Sequence, residues 1–220
     1  MQARNRIVTA VFLLTEVILY ILLLTFGGNI RVCCSYAAIV LCFAFAIFNR
    51  ASLWILCGLA CTVAADFFLV VCAPAQQLWG MVFFSGTQIF YGIFLQRTHK
   101  SKLFLLIRLL LITVAEAAAV LVLGKKLDAL AVVSMFYYAN LIASIIQAFA
   151  CFSKQKRFAF ALVLFLLCDT VIGLQAAAGA YLPISEGALI YKIIFMDFHL
   201  SWFFYLPSQV LIAMQKGRNV

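Results

Sequence analysis

Five carboxylates stand inside apolar stretches of this chain: Glu16, Asp66, Glu116, Asp169 and Asp197. At membrane depth each would cost at least ~2.5–3.5 kcal/mol and is by default a functional candidate, facing other helices or a wet cavity. Their chemistry is acid–base chemistry. A desolvated carboxyl is kept neutral and can give a proton, whereas a neighbour beside Lys192 or another donor stays ionised, and hydrolysis needs one of each. Other polar groups share helical faces with them or with each other. Gln88 and Tyr91 are three apart, Asp197 lies four from Ser201, and Lys192 and His199 lie seven apart.

Whether these carboxylates sit in hydrocarbon is a question of composition. Hydrophobic residues make up 67% of the chain and charged ones 10%, with mean hydropathy +1.15, far above an ordinary globular domain. Apolar segments of about 20 residues, each enough to cross a bilayer as a helix, recur along the chain and leave no stretch for a soluble domain. Breaks at Gly27–Asn29, Asn49–Arg50, Pro74–Gln77, Arg97–Lys102, Gly124–Asp128, Ser153–Arg157 and Gly179–Ser185 predict eight helices. They are 6–26, 31–48, 52–73, 78–96, 103–123, 129–152, 158–178 and 186–214. The expected fold is an all-α polytopic membrane bundle, a single transmembrane domain over 1–220. Arg4 and Arg6 ahead of the apolar run from Ile7 mimic a secretory signal, but the run continues to Phe26 without a small-x-small site and reads as the first membrane helix.

The distribution of basic residues tests that count. With the N-terminus inside, eleven of the sixteen Lys and Arg fall in cytoplasmic segments, three (Arg31, Lys125, Lys126) in outer loops, and Arg108 and Lys192 within helices. This is the positive-inside pattern; it expects both termini in the cytoplasm and assigns the net +9 to topology. No basic stripe with interleaved aromatics marks a nucleic-acid partner. The eight cysteines lie in or beside apolar segments and read as reduced packing residues. Cys57 and Cys61 are one turn apart, but no second pair or histidine completes a metal site. Glu16 to Glu116 is 100 positions and Asp66 to Asp169 is 103, either a repeated four-helix unit or a coincidence of spacing.

Depth can be counted along each span. At 1.5 Å per residue, Asp66, Glu116 and Asp169 lie roughly 11–14 residues from the cytoplasmic ends of their helices, within about a turn of each other. Gln88, Asp197 and His199 reach the same layer from outside. Pro207 should kink the last helix and release backbone carbonyls. The expectation is a polar pocket level with the outer half, walled by Leu and aromatic side chains. Each residue also has a plainer reading. Glu16 and Glu116 can bond locally to Tyr20 and Thr113, Gln88 can join two helices, His199 can be a satisfied neutral histidine, and Arg108 and Lys192 can snorkel.

Three segments carry a resemblance. AADFFLVVCAPAQQLWGMVFFSGTQIFYGIFL (64–95), ALVLFLLCDTVIGLQ (161–175) and FFYLPSQVLIA (203–213) resemble the YhhN or lysoplasmalogenase family, whose motifs are a Gly-Asp in helix 3, Phe, a polar residue and Tyr in helix 4, a Ser-Asp in helix 7 and a closing Tyr and Gln pattern. Length, eight spans and cytoplasmic termini agree. The resemblance implies hydrolysis of the vinyl ether of a lysoplasmalogen, a lysophospholipid, to a fatty aldehyde and a glycerophospho head group, with the family aspartates at Asp66 and Asp169. Ala65 stands where the family has glycine, Cys168 where it has serine, and Gln88 where it usually has histidine. In this reading Asp169 is the acid and Asp66 the stabilising base, or the reverse. Lys192 holds the phosphate, and Tyr91, Trp202 or Tyr205 contacts an ammonium head group. Gln88, Glu116, Asp197 and His199 complete the binding set. The chemistry needs no metal or other cofactor. The expected location is a bacterial plasma membrane, in contact with its lipids. The rival readings are a proton-coupled transporter of lipids or small molecules using the same acids, and a structural membrane protein that buries them in interhelical bonds.

Overall fold

The computed structural model describes residues 2–180, 188–196 and 199–216. The chain is an all-α polytopic membrane bundle, and among the described residues seven helices are long and apolar enough to cross a membrane. These are α1 (Gln2–Thr25), α2 (Gly28–Phe48), α3 (Leu53–Asp66), whose span continues through a wider turn to Val71, α4 (Gln77–Thr98), α5 (Lys102–Leu123), α6 (Ala129–Ala150) and α7 (Phe152–Ala180). Two shorter helices follow, α8 (Leu189–Ile194) and α9 (Leu200–Ala213). The connections obey local chemistry. Gly28 turns the chain between α1 and α2 at φ +59°, a conformation that needs no Cβ. Asp128 caps α6, its carboxylate accepting from the Ala131 N–H at 2.7 Å, which satisfies a donor that the helix itself cannot.

Lipid does not drive apolar faces together, so small residues and polar pairs decide which helices touch. A close seam joins α3 to α4. Gly58 lets the Tyr91 ring lie where a side chain would otherwise stand, 2.3 Å from a Cβ built on that glycine. Thr87 donates to the Gly58 carbonyl at 3.1 Å and meets the Thr62 hydroxyl at 3.2 Å. Half of the α4 span is buried within the protein, against 6% of the segment Lys102–Lys126. The α4 helix is therefore central, and α5 packs on α6 at the rim.

Three expectations change. The predicted helix 52–73 alters its pitch after Asp66: Phe67–Val71 is a wider turn, with Cys72 N–H donating to Phe67 O at 3.0 Å. The offset leaves Asp66 buried and stacks Phe68 on Phe83, centroids 5.6 Å apart; such wide turns recur at functional sites. The predicted single helix 186–214 is instead α8 and α9. The α8 carbonyl of Ile194 would be left without a helical partner, and the Gln175 amide donates to it at 2.5 Å.

Arg108, lastly, does not snorkel. Its guanidinium donates to Asn140 Oδ1 at 2.9 Å and Ser144 Oγ at 3.1 Å, filling the space left by Gly92. These partners anchor the cation between α4, α5 and α6.

Pro207 lies inside α9. Lacking an N–H, it cannot close the helical bond to the carbonyl four residues back, that of Phe203. The Tyr20 hydroxyl of α1 donates to that carbonyl at 2.9 Å. The starts of α3 and α7 and the ends of α4 and α9 meet at one end of the bundle, which carries Arg97, Lys156, Arg157 and Lys216 and is called the basic end below.

Candidate active site

Asp66 is the last residue of α3 and is 3% exposed. Its Oδ2 accepts from the Tyr205 hydroxyl of α9 at 2.6 Å. Asp169, on α7, makes the matching bond: the Tyr137 hydroxyl of α6 donates to its Oδ2. A second rung beside it, Tyr138 hydroxyl to Thr170 hydroxyl at 2.9 Å, fixes the register of α6 on α7. Both carboxyls thus hold one tyrosine donor on one oxygen. They lie within electrostatic range of each other, and no Lys or Arg among the described residues hydrogen-bonds either one.

The two pairs share an aromatic enclosure. Phe84 of α4 touches Tyr137, Phe165 and Tyr205 with centroids 5.9, 5.7 and 6.2 Å apart, and Phe165 touches Tyr205 at 5.5 Å. Trp202 packs edge-on to Tyr205 at 5.2 Å. Gln88 is wholly buried, its amide against the Tyr137 hydroxyl, so a donor and an acceptor stand at the edge of the enclosure. Asp66 is sealed, while Asp169 keeps partial exposure. Rings around two carboxyls suit a cation that forms transiently, since ring faces and an ionised carboxylate both stabilise positive charge.

Of the expected residues, Asp66, Asp169, Gln88, Tyr205 and Trp202 come together. Tyr205 meets Asp66 directly, a different task from the head-group contact expected of it. Tyr91 belongs to the layer beneath: its ring packs on Phe158 at 5.4 Å and its hydroxyl is buried beside Thr62. Glu116 is partly exposed on α5, whose packing partner is α6, so it shares the depth of the site but not its interior. His199 accepts from Arg31 Nη1 through Nε2 at 2.5 Å and joins the start of α9 to α2. Lys192 is exposed on α8, not beside the carboxyls. Asp197 lies outside the described residues. Glu16 is 3% exposed and accepts from the Cys42 thiol at 3.4 Å instead of bonding to Tyr20.

Tyr137, Phe84 and Phe165 were missed. Tyr137 had a signal, because it lies eight positions into α6 and so reaches the depth already assigned to the carboxyls. Among the described residues no group of three His, Cys, Asp or Glu is arranged to hold a metal.

No curated protein and no solved structure matches the chain. A family model described as the YhhN family does match, over residues 30–215, a span that contains both aspartate–tyrosine pairs, Gln88 and the aromatic enclosure. The chain belongs to the YhhN family.

Proposed function

We propose that this protein hydrolyses the vinyl ether bond of a lysoplasmalogen, releasing a fatty aldehyde and a glycerophospho head group. The observation that carries this reading is the meeting of two carboxyl–tyrosine pairs in one aromatic enclosure. Asp169, the accessible carboxyl, protonates the β-carbon of the vinyl ether, and the double-bond electrons form the new C–H bond. The α-carbon becomes an oxocarbenium ion, stabilised by ionised Asp66 and the ring faces of Phe84, Phe165 and Tyr205. Water adds to that carbon and returns a proton to the site. The hemiacetal then collapses to the aldehyde and the alcohol of the head group. Tyr205 and Tyr137 each occupy one carboxyl oxygen and turn the other towards the reacting atoms. Gln88, beside the Tyr137 hydroxyl, orients water or the ether oxygen.

The phosphate has a place at the far side. Gln175, which bonds α8, is six positions from Asp169, about 9 Å along α7. Five bonds of about 1.5 Å separate the phosphorus from the ether oxygen, so Lys192 of α8 is in reach of the phosphate and Trp202 of an ammonium group. In this reading both termini are cytoplasmic, the basic end faces the cytoplasm of a bacterium, and the site lies in the outer half of its plasma membrane.

Purified protein given alkenyl lysophospholipid in detergent should release aldehyde, and Asp66→Asn and Asp169→Asn should each slow release at least a hundredfold, to a residual rate that can still be measured, without loss of the folded protein. Proton-dependent uptake into liposomes with no aldehyde formed would overturn the reading in favour of transport.

A further inference from the structure

The basic end holds a second concavity that hydrolysis does not use. A cavity of about 640 Å³ opens between the starts of α3 and α7 and the ends of α4 and α9, a size typical of small-molecule sites. Arg97, Lys156, Arg157 and Lys216 line it, and no Asp or Glu does. The chain has seven acidic residues and none lies near these segments in sequence. Topology alone asks for basic residues at this end of the bundle; it does not ask that cations from three helix ends converge on one hollow, where they repel each other.

The cavity is built, not merely lined. The Arg97 guanidinium lies over the Trp54 ring, 4.8 Å from its centroid, which holds the cation in place. The α7 helix bends at Gln155, whose φ of −131° is not helical. The buried side chain of Gln155 accepts from Gln215 at 2.6 Å, tying the end of α9 to the start of α7. That tie sets Lys216 beside Lys156 and Arg157.

We propose that this vestibule binds a phosphate group. Two guanidinium forks offer paired donors that match phosphate oxygens, and two ammonium groups add charge. The site is separate from the carboxyl enclosure. Arg157 and Asp169 are twelve positions apart on α7, about 18 Å, more than twice what five bonds of about 1.5 Å can span. Between them lies a plug of Phe94, Phe158 and Tyr91, with centroid contacts of 5.2 and 5.4 Å. One lysolipid therefore cannot occupy both sites, and the phosphate belongs to another molecule. Two sources carry that chemistry, an anionic lipid head group at the bilayer surface and a soluble phosphoester.

Calorimetric titration of the full chain in uncharged detergent tests the site, with glycerol 3-phosphate as the soluble probe and a short-chain diacylglycerol phosphate as the lipid probe. Saturable binding of both assigns the site to phosphoesters in general, and binding of the lipid probe alone assigns it to head groups. In either case inorganic phosphate should displace the probe, and Lys156→Gln/Arg157→Gln should weaken binding at least tenfold. Lys125→Gln/Lys126→Gln, an equal loss of charge in another loop, should leave binding unchanged. Equal weakening in both pairs, failure of phosphate to compete, or no saturable binding of either probe to the wild-type chain would overturn the proposal. None of these readouts depends on hydrolysis.

Discussion

Tyr205→Phe isolates one hydrogen bond. The substitution deletes the hydroxyl that donates to Asp66 at 2.6 Å and keeps the ring, so the contacts with Trp202, Phe165 and Phe84 at 5.2, 5.5 and 6.2 Å remain. No cavity larger than one oxygen atom forms. What changes is the state of Asp66, which is 3% exposed and has no other hydrogen-bond partner among the described residues. A hydrogen bond to a charged acceptor contributes about 1.5–3 kcal/mol. If Asp66 must be ionised and aimed when the oxocarbenium ion forms, about 2 kcal/mol is lost from the transition state, roughly a 30-fold fall in kcat/KM. Stability should move less, by about 0.6–2 kcal/mol, the range for interhelical bonds in membranes. The assay is aldehyde release from an alkenyl lysophospholipid, with thermal unfolding measured on the same preparation. Because Tyr205 acts through Asp66, the double variant Asp66→Asn/Tyr205→Phe should be no slower than Asp66→Asn alone. A kcat/KM for Tyr205→Phe within twofold of wild type, or further slowing in the double variant, would refute the assigned role.

Three further outcomes are expected. Gln88→Met keeps the volume and removes the amide beside the Tyr137 hydroxyl, so unfolding should move by no more than about 1 kcal/mol while aldehyde release falls at least tenfold; a larger loss of stability would make Gln88 interhelical glue instead. Tyr20→Phe should destabilise the protein by about 1 kcal/mol, because its hydroxyl serves the Phe203 carbonyl that Pro207 cannot. The same change made in a Pro207→Ala background, where the helix can bond that carbonyl itself, should cost measurably less. Gly58→Ala places a methyl 2.3 Å from Tyr91 Cε1; prying α3 from α4 should cost about 1–3 kcal/mol, visible as a lowered unfolding midpoint, and Gly58→Ala/Tyr91→Leu should recover part of it.

Asp66 and Asp169 were legible in the sequence because a carboxylate in an apolar span is conspicuous, and counting residues from the ends of each span placed them in one layer. Tyr137 was not, although it lies at the same depth. A tyrosine among Phe, Leu and Ala is unremarkable in a membrane helix, and its hydroxyl acquires meaning only when α6 packs against Asp169. Glu116 shows the converse. It was expected in the same layer, yet α5 packs on α6 at the rim, and Glu116 stays partly exposed outside the enclosure. Arg108 looked like a snorkelling cation because it lies near the end of its span; Gly92 and two polar groups of α6 gave it a nearer partner than water. The break between α8 and α9 was hidden for a related reason, since the carbonyl it leaves is answered from α7, nineteen positions away.

The sequence by itself determined the solvent and the fold class, and it set an expected depth for each polar group. Hydropathy sets where a helix crosses, and a rise of 1.5 Å per residue converts position into height. Only the tertiary structure decided azimuth, meaning which side of each helix faces inward and which groups meet across the interior. In water, burial writes that choice into the sequence as an apolar stripe. In lipid both sides of a helix are apolar, so the inward side is chosen by small residues such as Gly58 and Gly92 and by bonds such as Tyr205 to Asp66, contacts that exist only once the helices are packed.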